Sequence, residues 1–270
     1  MAELKVGVAG CAGRMGQLLV REVTEHAQAA LVAATEQPGS PALGRDAGGL
    51  VGLGPLGVAV ADDAAGMFEA AEVVLDFTVP AASVAHAGLA GEHGTVLVIG
   101  TTGLDGTEEA ALRAAAKAVP IVYAANFSPG VNLLFALAEQ VGRTLDDAYD
   151  IEVMEFHHRH KVDAPSGTAL ELGRRAASGR GVALDEVADR GRDGHTGARK
   201  RGRIGFTALR GGDVVGEHSV VFAAAGERVE LTHRASARRI YAAGAVRAAL
   251  WAGGREAGLY NMFNVLGMGS

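Results

Sequence analysis

The 270-residue sequence contains one cysteine, Cys11, so the chain cannot close an internal disulfide and suits a reducing compartment. Positive charge is not in excess, since 25 lysines and arginines stand against 31 acidic residues and give a formal net charge of −6. That balance argues against a general nucleic-acid or anionic-membrane surface. No run reaches the roughly 18 apolar residues of a membrane span, and Glu3 and Lys5 interrupt any signal peptide. We therefore expect a cytoplasmic protein that binds neither nucleic acid nor membrane.

The composition instead favours a folded protein with many tight turns, because 49% of the residues are apolar and 39 are glycines. A chain of this length can form one large or two medium domains with well-filled cores.

A glycine-rich turn, Gly-Cys-Ala-Gly-Arg-Met-Gly over residues 10–16, follows an apolar run that begins at Leu4. A helical pattern from Gln17 to about His26 and a strand pattern ending at Glu36 come next. Strand, glycine turn, helix, strand and acid is the order of a dinucleotide-binding unit. The glycines let the backbone approach a pyrophosphate, and Glu36 stands where a carboxylate can accept ribose hydroxyls. The spacing G-x-x-G-x-x-G is less usual, and a purely structural turn is the alternative.

Gln37, next to Glu36, bears on the choice of cofactor. A 2′-phosphate beside Glu36 would need a cation to offset the repulsion, and Gln37 provides none, although Arg14 could partly substitute. The sequence therefore predicts that NADH is used at least as well as NADPH. The alternative for Gln37 is a solvated loop residue.

Strand and helix patterns alternate as far as residue 127, after an expected surface loop over 38–57 and a weak strand over 58–60. This alternation predicts an α/β fold with a Rossmann-type, doubly wound parallel sheet, in which ligands bind at the carboxyl ends of the strands. Three segments follow predicted strands and could line a nicotinamide pocket: Phe77-Thr78, Gly100-Thr101-Thr102 and Ala125-Asn126-Phe127.

The pattern changes after Gly130. A helix and a long strand lead to three successive strand-like segments, about 204–209, 213–222 and 228–232, with hairpin-type connections at 210–212 and 225–227. These features predict a second α+β domain with a mixed or antiparallel sheet. We expect a dinucleotide-binding domain over 1–127, completed by 238–270, and a substrate-binding and oligomerisation domain over 128–237, with hinges near 126–130 and 232–238.

The predicted long strand ends in five consecutive cationic or titratable residues, His157 to Lys161, followed by Pro-Ser-Gly-Thr at the start of a helical pattern over 169–177. Such a cluster is costly to bury but suits a small, multiply anionic molecule, which the helix start can also bind. In a continuous strand His157 and Lys161 would lie about 13 Å apart. We therefore expect the backbone to fold back and to bring Lys161 and the Gly167 and Thr168 N–H groups over the same pocket as His157.

Like charge on Arg159 and Lys161 disfavours protonation of His157 until a dianion binds, so the pKa of His157 should rise on binding a dicarboxylate. A zinc site is the rival interpretation of the histidines. The flanking cations oppose a divalent ion, the lone cysteine lies in the glycine turn and no metalloprotease helix motif is present, so no metal is expected. A solvated basic face without function is the other alternative.

The glycine turn and the block from His157 to Ala169 together resemble the dihydrodipicolinate reductase family, also called 4-hydroxy-tetrahydrodipicolinate reductases. Further matching segments extend the resemblance over nearly the whole chain: residues 76–78, 100–103, 126–128, 204–206, 210–213 and 216–218. The resemblance implies hydride transfer from NADH or NADPH to C4 of a cyclic imine dicarboxylate, with loss of the 4-hydroxyl as water, on the diaminopimelate route to lysine. It also implies a homotetramer built through the sheet of the second domain.

Site residues carry over from the family position by position. The resemblance implies that His157 is the proton donor and acceptor, that Lys161 is the second proton donor, and that His158, Gly167 and Thr168 hold the substrate carboxylates. It assigns the cofactor to Gly10, Cys11, Ala12, Gly13, Arg14, Met15, Glu36, Gly100, Thr101, Thr102, Ala124, Ala125, Asn126 and Phe127. At position 37 some members of the family carry a basic residue, whereas this sequence has Gln37. Two alternatives stay open: an NAD-dependent dehydrogenase acting on an amino acid such as aspartate, and a non-catalytic nucleotide sensor.

Overall fold

In the computed structural model, which describes residues 3–269, strands alternate with helices over the first half of the chain. The elements are β1 (Leu4–Ala9), α1 (Arg14–Glu25), β2 (Ala29–Thr35), α2 (Ala47–Leu50), β3 (Val60–Ala61), α3 (Ala64–Ala70), β4 (Val73–Asp76), α4 (Pro80–His93), β5 (Val96–Ile99), α5 (Gly106–Ala115) and β6 (Pro120–Tyr123). Residues 1, 2 and 270, the outer ends of the predicted domain ranges, lie outside the description.

Strands predominate in the next part of the chain, and the last elements are mostly helical. The elements are α6 (Pro129–Thr144), β7 (Asp150–His157), α7 (Gly167–Gly179), α8 (Leu184–Val187), β8 (Ala188–Asp189), β9 (Ile204–Arg210), β10 (Gly216–Ala224), β11 (Glu227–Ala235), α9 (Arg239–Ala252), β12 (Gly258–Tyr260) and α10 (Met262–Val265).

Seven strands form one sheet in the order β12-β6-β5-β4-β1-β2-β3, and all their pairings are parallel. Side chains of β1, β4, β5 and β6 alternate between two separate cores, as β4 shows: Val73 and Leu75 belong to one cluster and Val74 to the other. Residues of α1 and α9 complete the first cluster, and residues of α3, α4 and α5 complete the second. The sheet is therefore covered on both faces, which confirms the predicted doubly wound fold.

The second sheet has five strands in the order β11-β10-β7-β9-β8. β10 pairs antiparallel with both β7 and β11, whereas β9 pairs parallel with both β7 and β8. The prediction of a mixed sheet is confirmed. The hairpin at 225–227 is also correct, because Ala224 pairs with Glu227.

The predicted hairpin at 210–212 is wrong. β9 and β10 do not pair with each other but lie on opposite sides of β7. The short segment after Arg210 therefore crosses the end of β7, and the N–H of Gly211 bonds the carbonyl of His157 while the carbonyl of Gly212 accepts from Arg159. Closing this connection as a hairpin would leave β7 without its central position in the sheet.

The first helix begins at Arg14, one turn earlier than the pattern from Gln17 indicated. Gly16 makes this possible, because a Cβ on it would come within 2.0 Å of the Gly10 carbonyl oxygen. The expected loop over 38–57 contains the short helix α2 and is organised by the Asp46 carboxylate, which accepts N–H groups from Gly48, Gly49, Leu56 and Gly57. The weak third strand is only Val60–Ala61.

The chain divides into two compact units, one made of Met1–Ser128 with Arg239–Ser270 and the other of Pro129–Arg238. The seven-stranded sheet lies in the first unit and the five-stranded sheet in the second. Within residues 3–269 no helix combines the length and the apolar character that crossing a membrane would require.

Candidate active site

The glycine turn of the first unit links β1 to α1 and presents backbone rather than side chains. Gly10 has φ +63°, a left-handed conformation that favours glycine, and no side chain caps the helix at Gly13. The Glu36 carboxylate reaches back from the end of β2 and accepts the Ala12 N–H at 2.9 Å. The structure thus brings the turn and Glu36 together, with Arg14 exposed and Cys11 buried.

The other predicted cofactor residues follow β5 and β6 at the carboxyl edge of the sheet. Gly100 lies against Phe77, whose ring would be 2.1 Å from a Cβ on Gly100, and Phe77 packs against the buried Phe127 with ring centroids 5.3 Å apart. Thr102 and Ala125 are exposed beside them, whereas Ala124 and Asn126 are half-buried. The residues after β4, β5 and β6 therefore form one continuous edge.

A buried polar network that the sequence analysis did not assign supports this edge. The Ser83 hydroxyl donates to the Thr101 hydroxyl at 2.7 Å. Asp76, fully buried, accepts from the Thr78 hydroxyl at 2.6 Å and contacts Nδ1 of His86 at 2.9 Å. Because these buried polar groups are hydrogen-bonded to one another, they hold the loops that carry Thr78 and Thr101 in place.

In the second unit, β7 places His157 at its last position, on the buried face of the sheet. Glu155 lies two residues earlier and therefore on the same face. Its carboxylate contacts Nδ1 of His157 at 2.5 Å, accepts two bonds from Arg210 at 2.7 Å each, and accepts the Ser166 N–H at 3.1 Å. One buried carboxylate thus joins the end of β7, the end of β9 and the start of α7.

The chain turns immediately after β7, as predicted, because the Lys161 N–H bonds the His158 carbonyl at 3.1 Å. The Lys161 ammonium is partly exposed and pairs with Asp163 at 2.8 Å. The Ser166 hydroxyl then caps α7 by accepting from the Ala169 N–H, so Gly167 and Thr168 form the first helical residues. N–H groups and the helix dipole at such a start favour an anion.

Charges near His157 have definite effects on its protonation. Burial lowers the pKa of His157 below its ordinary value; Glu155 opposes this shift, while Lys161 and Arg210 add to it. The lowered pKa of His157 agrees in direction with the prediction from the sequence. Its main cause, however, is burial, and Arg210 contributes as a cation that the sequence pattern did not indicate. Arg159, which the sequence analysis named, is exposed.

Two neighbours of His157 complete the site. Burial and, to a lesser degree, the charge of His157 lower the pKa of His218 to about 3, so His218 is neutral. Its Nε2 contacts the Ser166 hydroxyl at 3.2 Å, and its ring lies 5.0 Å from that of His157. Burial would raise the pKa of Glu155, but hydrogen bonds from Arg210 and His157 outweigh it and keep this carboxyl ionised.

His158, predicted to hold a carboxylate, leaves Nδ1 buried without a hydrogen-bond partner, and its Nε2 lies 3.2 Å from a guanidinium nitrogen of Arg238. Within residues 3–269 the structure contains no group of three or more histidines, cysteines and acidic residues placed to hold a metal ion.

The sequence analysis missed Glu155, Ser166, Arg210 and His218. Glu155 could have been found, because a residue two positions before His157 on a strand shares its face. Arg210 and His218 could not, since they reach the site only through the pairing of His157 with Arg210 and of Glu155 with His218 across the second sheet.

A parallel dinucleotide-type sheet with a backbone-lined glycine turn, and a separate unit with a cationic pocket around a buried histidine, define a two-domain nucleotide-dependent oxidoreductase. Comparison with known families agrees: residues 4–127 match the model for the dihydrodipicolinate reductase N-terminus and residues 130–266 the model for its C-terminus. The chain belongs to the dihydrodipicolinate reductase family, and it is an oxidoreductase that uses NAD(P)H.

Three similar proteins carry the name of this family. The 4-hydroxy-tetrahydrodipicolinate reductase of Afipia carboxidovorans is 54% identical over 270 residues, which are 100% of this chain and 99% of that protein. The enzyme of that name from Ruegeria pomeroyi is 56% identical over 261 residues, 97% of each chain. Among solved structures, dipicolinate-bound dihydrodipicolinate reductase from Paenisporosarcina sp. TG-14 has a TM-score of 0.76 at 23% identity, covering 96% of this chain and 97% of that one.

Proposed function

We propose that the chain carries out the 4-hydroxy-tetrahydrodipicolinate reductase reaction with His157 and Lys161 as its two proton donors. A cyclic imine dicarboxylate gains a hydride at C4 and loses its 4-hydroxyl as water, and one NAD(P)H and one proton are consumed. The tetrahydrodipicolinate formed lies on the diaminopimelate route to lysine. The observation that carries this proposal is the buried Glu155 carboxylate, which gathers the acid–base histidine and the start of α7 around one pocket.

The substrate's two negative charges account for the rest of this pocket. Gly167 and Thr168, at the start of α7, and His158 hold the carboxylates, and Lys161 adds a cation that also donates a proton. Departure of the hydroxyl as water takes up one proton and releases one from the ring carbon next to C4, and that carbon is protonated again once the hydride has been added at C4. The two general acids deliver the two protons, so the net consumption is one proton. A dicarboxylate bound here counters Lys161 and Arg210, whose charges add to the effect of burial in lowering the pKa of His157.

The first unit fits a dinucleotide, because Gly10 and Gly16 keep the turn free of side chains near the start of α1. Residues Gly10 to Met15 and Glu36, with Gly100 to Thr102 and Ala124 to Phe127, hold the cofactor, which supplies the hydride when bound. NADH or NADPH can serve. The first domain, 1–127 with 238–270, thus binds the cofactor, and the second, 128–237, binds the substrate.

The chain works as a homotetramer in this proposal, assembled through the open face of the second sheet. Met154 and Leu209 on that face are 41% and 50% exposed although both are large and apolar. A cytoplasmic site of action fits the free thiol of Cys11 and a reaction that depends on a reduced nicotinamide.

Steady-state turnover of enzymatically generated substrate tests the proposal. His157→Gln and Lys161→Gln should each lower kcat by about 10²-fold or more, because each removes a general acid. Matched controls are His93→Gln and Lys117→Gln, which change exposed side chains of the first unit and should leave kcat unchanged. Full kcat in either pocket variant would contradict the assignment of that residue.

A further inference from the structure

Glu155 has an unusual set of partners for a buried carboxylate. Its side chain is 1% exposed, and Arg210, Ser166 and His157 all approach its oxygens with a nitrogen that can donate a hydrogen bond. Arg210 donates to both oxygens, the Ser166 N–H donates to Oε1, and Nδ1 of His157 lies 2.5 Å from Oε2. An ionised carboxylate is an acceptor only, so Nδ1 of His157 must carry a hydrogen directed at it.

A neutral imidazole has one ring hydrogen, and if Nδ1 carries it, Nε2 is the atom left to take up and release a proton. The backbone leaves room for this atom, because a Cβ on Gly216 would lie 3.1 Å from Nε2 of His157 and the glycine has none. We infer that Glu155 is a positioning residue that fixes the Nδ1–H tautomer of His157 and makes Nε2 the proton-donating atom. The inference rests on the proposed function, since it requires His157 to be the acid.

A purely structural role is the competing explanation, because Glu155 also makes a bidentate ion pair with Arg210. Arg210 has other partners as well, and donates to the carbonyls of Leu209 and Asp163 at 2.6 Å. The two roles differ in one respect: only the positioning role predicts that the effect of changing Glu155 passes through His157.

Glutamine at position 155 separates the two roles. In either orientation, the NH₂ group of the glutamine amide would face a group that also donates. If the NH₂ group faced His157, it would donate to Nδ1 and so favour the opposite tautomer of the imidazole. Loss of the negative charge also lowers the pKa of His157, because Glu155 is the group that supports its protonation. The titratable or charged groups that act on His157 are Glu155, Lys161, Arg210 and His218.

The experiment is a double-mutant cycle on the full chain with NADH and enzymatically generated substrate, combined with ¹⁵N NMR of the histidine rings. Glu155→Gln should lower kcat by about 10²-fold and move the alkaline limb of the kcat profile to lower pH. In the His157→Gln background the same change should lower kcat less than threefold further, because the group it orients is gone. Glu155→Asp should restore part of kcat.

The control is Glu139→Gln, which removes an α6 carboxylate that pairs with Arg143 of α6 and Arg175 of α7 and should leave kcat and the His157 resonances unchanged. The NMR readout needs no variant, since the unaltered protein should show His157 protonated at Nδ1 at neutral pH. A neutral His157 protonated at Nε2, or an equal loss of kcat in both backgrounds, would overturn the inference. Full kcat in His157→Gln would overturn the proposed role of His157 as a proton donor, which the other two outcomes leave intact.

Discussion

Glu36 and Gln37 stand together after β2, and only the first of them is charged. The Glu36 carboxylate lies at the glycine turn, so a 2′-phosphate placed beside it would be repelled. Gln37→Arg should therefore raise kcat/KM for NADPH relative to NADH by about tenfold, an effect of about 1.4 kcal/mol on the transition-state free energy. Parallel steady-state kinetics with both cofactors measure it.

Gln28→Arg adds the same charge to an exposed residue between α1 and β2 and serves as the control. In the unaltered protein we expect NADH to be used at least as well as NADPH. A kcat/KM for NADPH more than tenfold above that for NADH would refute this expectation.

At the same scale, the sequence located His157 and Lys161 because five cationic or titratable residues in a row are improbable in a core. It could not supply Arg210, the distant partner that acts on both Glu155 and His157. Arg210 is 55 residues from Glu155 in the chain, and the pair forms only because β9 lies beside β7 in parallel register. No local pattern encodes that neighbour.

The end of β7 and the start of α7 meet at Glu155, and a dianion held there should change how His157 titrates. In the free protein burial and two nearby cations hold the pKa of His157 below its ordinary value. Two added negative charges favour the imidazolium, so the sign of the change on binding is upward. An NMR titration with and without dipicolinate measures this change.

The ring resonances of His26, at the end of α1, provide the internal control and should not move when dipicolinate is added at constant pH. A pKa of His157 that stays constant or falls when dipicolinate saturates the protein would contradict the proposed pocket.

Elements themselves were largely predictable, because apolar periodicity and glycine turns are local signals. The exceptions have physical reasons. β9 and β10 read as a hairpin from the glycines between them, but hydrogen bonding to the end of β7 places them on opposite sides of that strand. The start of α1 was misplaced because close packing of Gly16 on the turn extends the helix into the glycine segment.

On the scale of the whole molecule, the five-stranded sheet has one face buried in its own unit and one with exposed apolar side chains. Met154 and Leu209 on the open face belong to β7 and β9, which pair directly. We expect this face to join copies of the chain. Met154→Glu combined with Leu209→Glu should convert a tetramer into smaller species, as measured by light scattering after size-exclusion chromatography, because buried charge is costly.

Val182→Glu is the control, since Val182 is 39% exposed but follows α7 rather than lying on the sheet. It should leave the assembly unchanged. An unaltered mass for the double variant would show that the open face is not the interface.

The central claim is that the second unit pins a doubly negative ring between Lys161 and the start of α7. The most direct measurement is a crystal structure of the chain with NADH and dipicolinate. The account predicts one carboxylate within hydrogen-bond distance of the N–H groups of Gly167 and Thr168, and Lys161 close to the ring. Both carboxylates bound elsewhere, with these groups left out of contact, would contradict it.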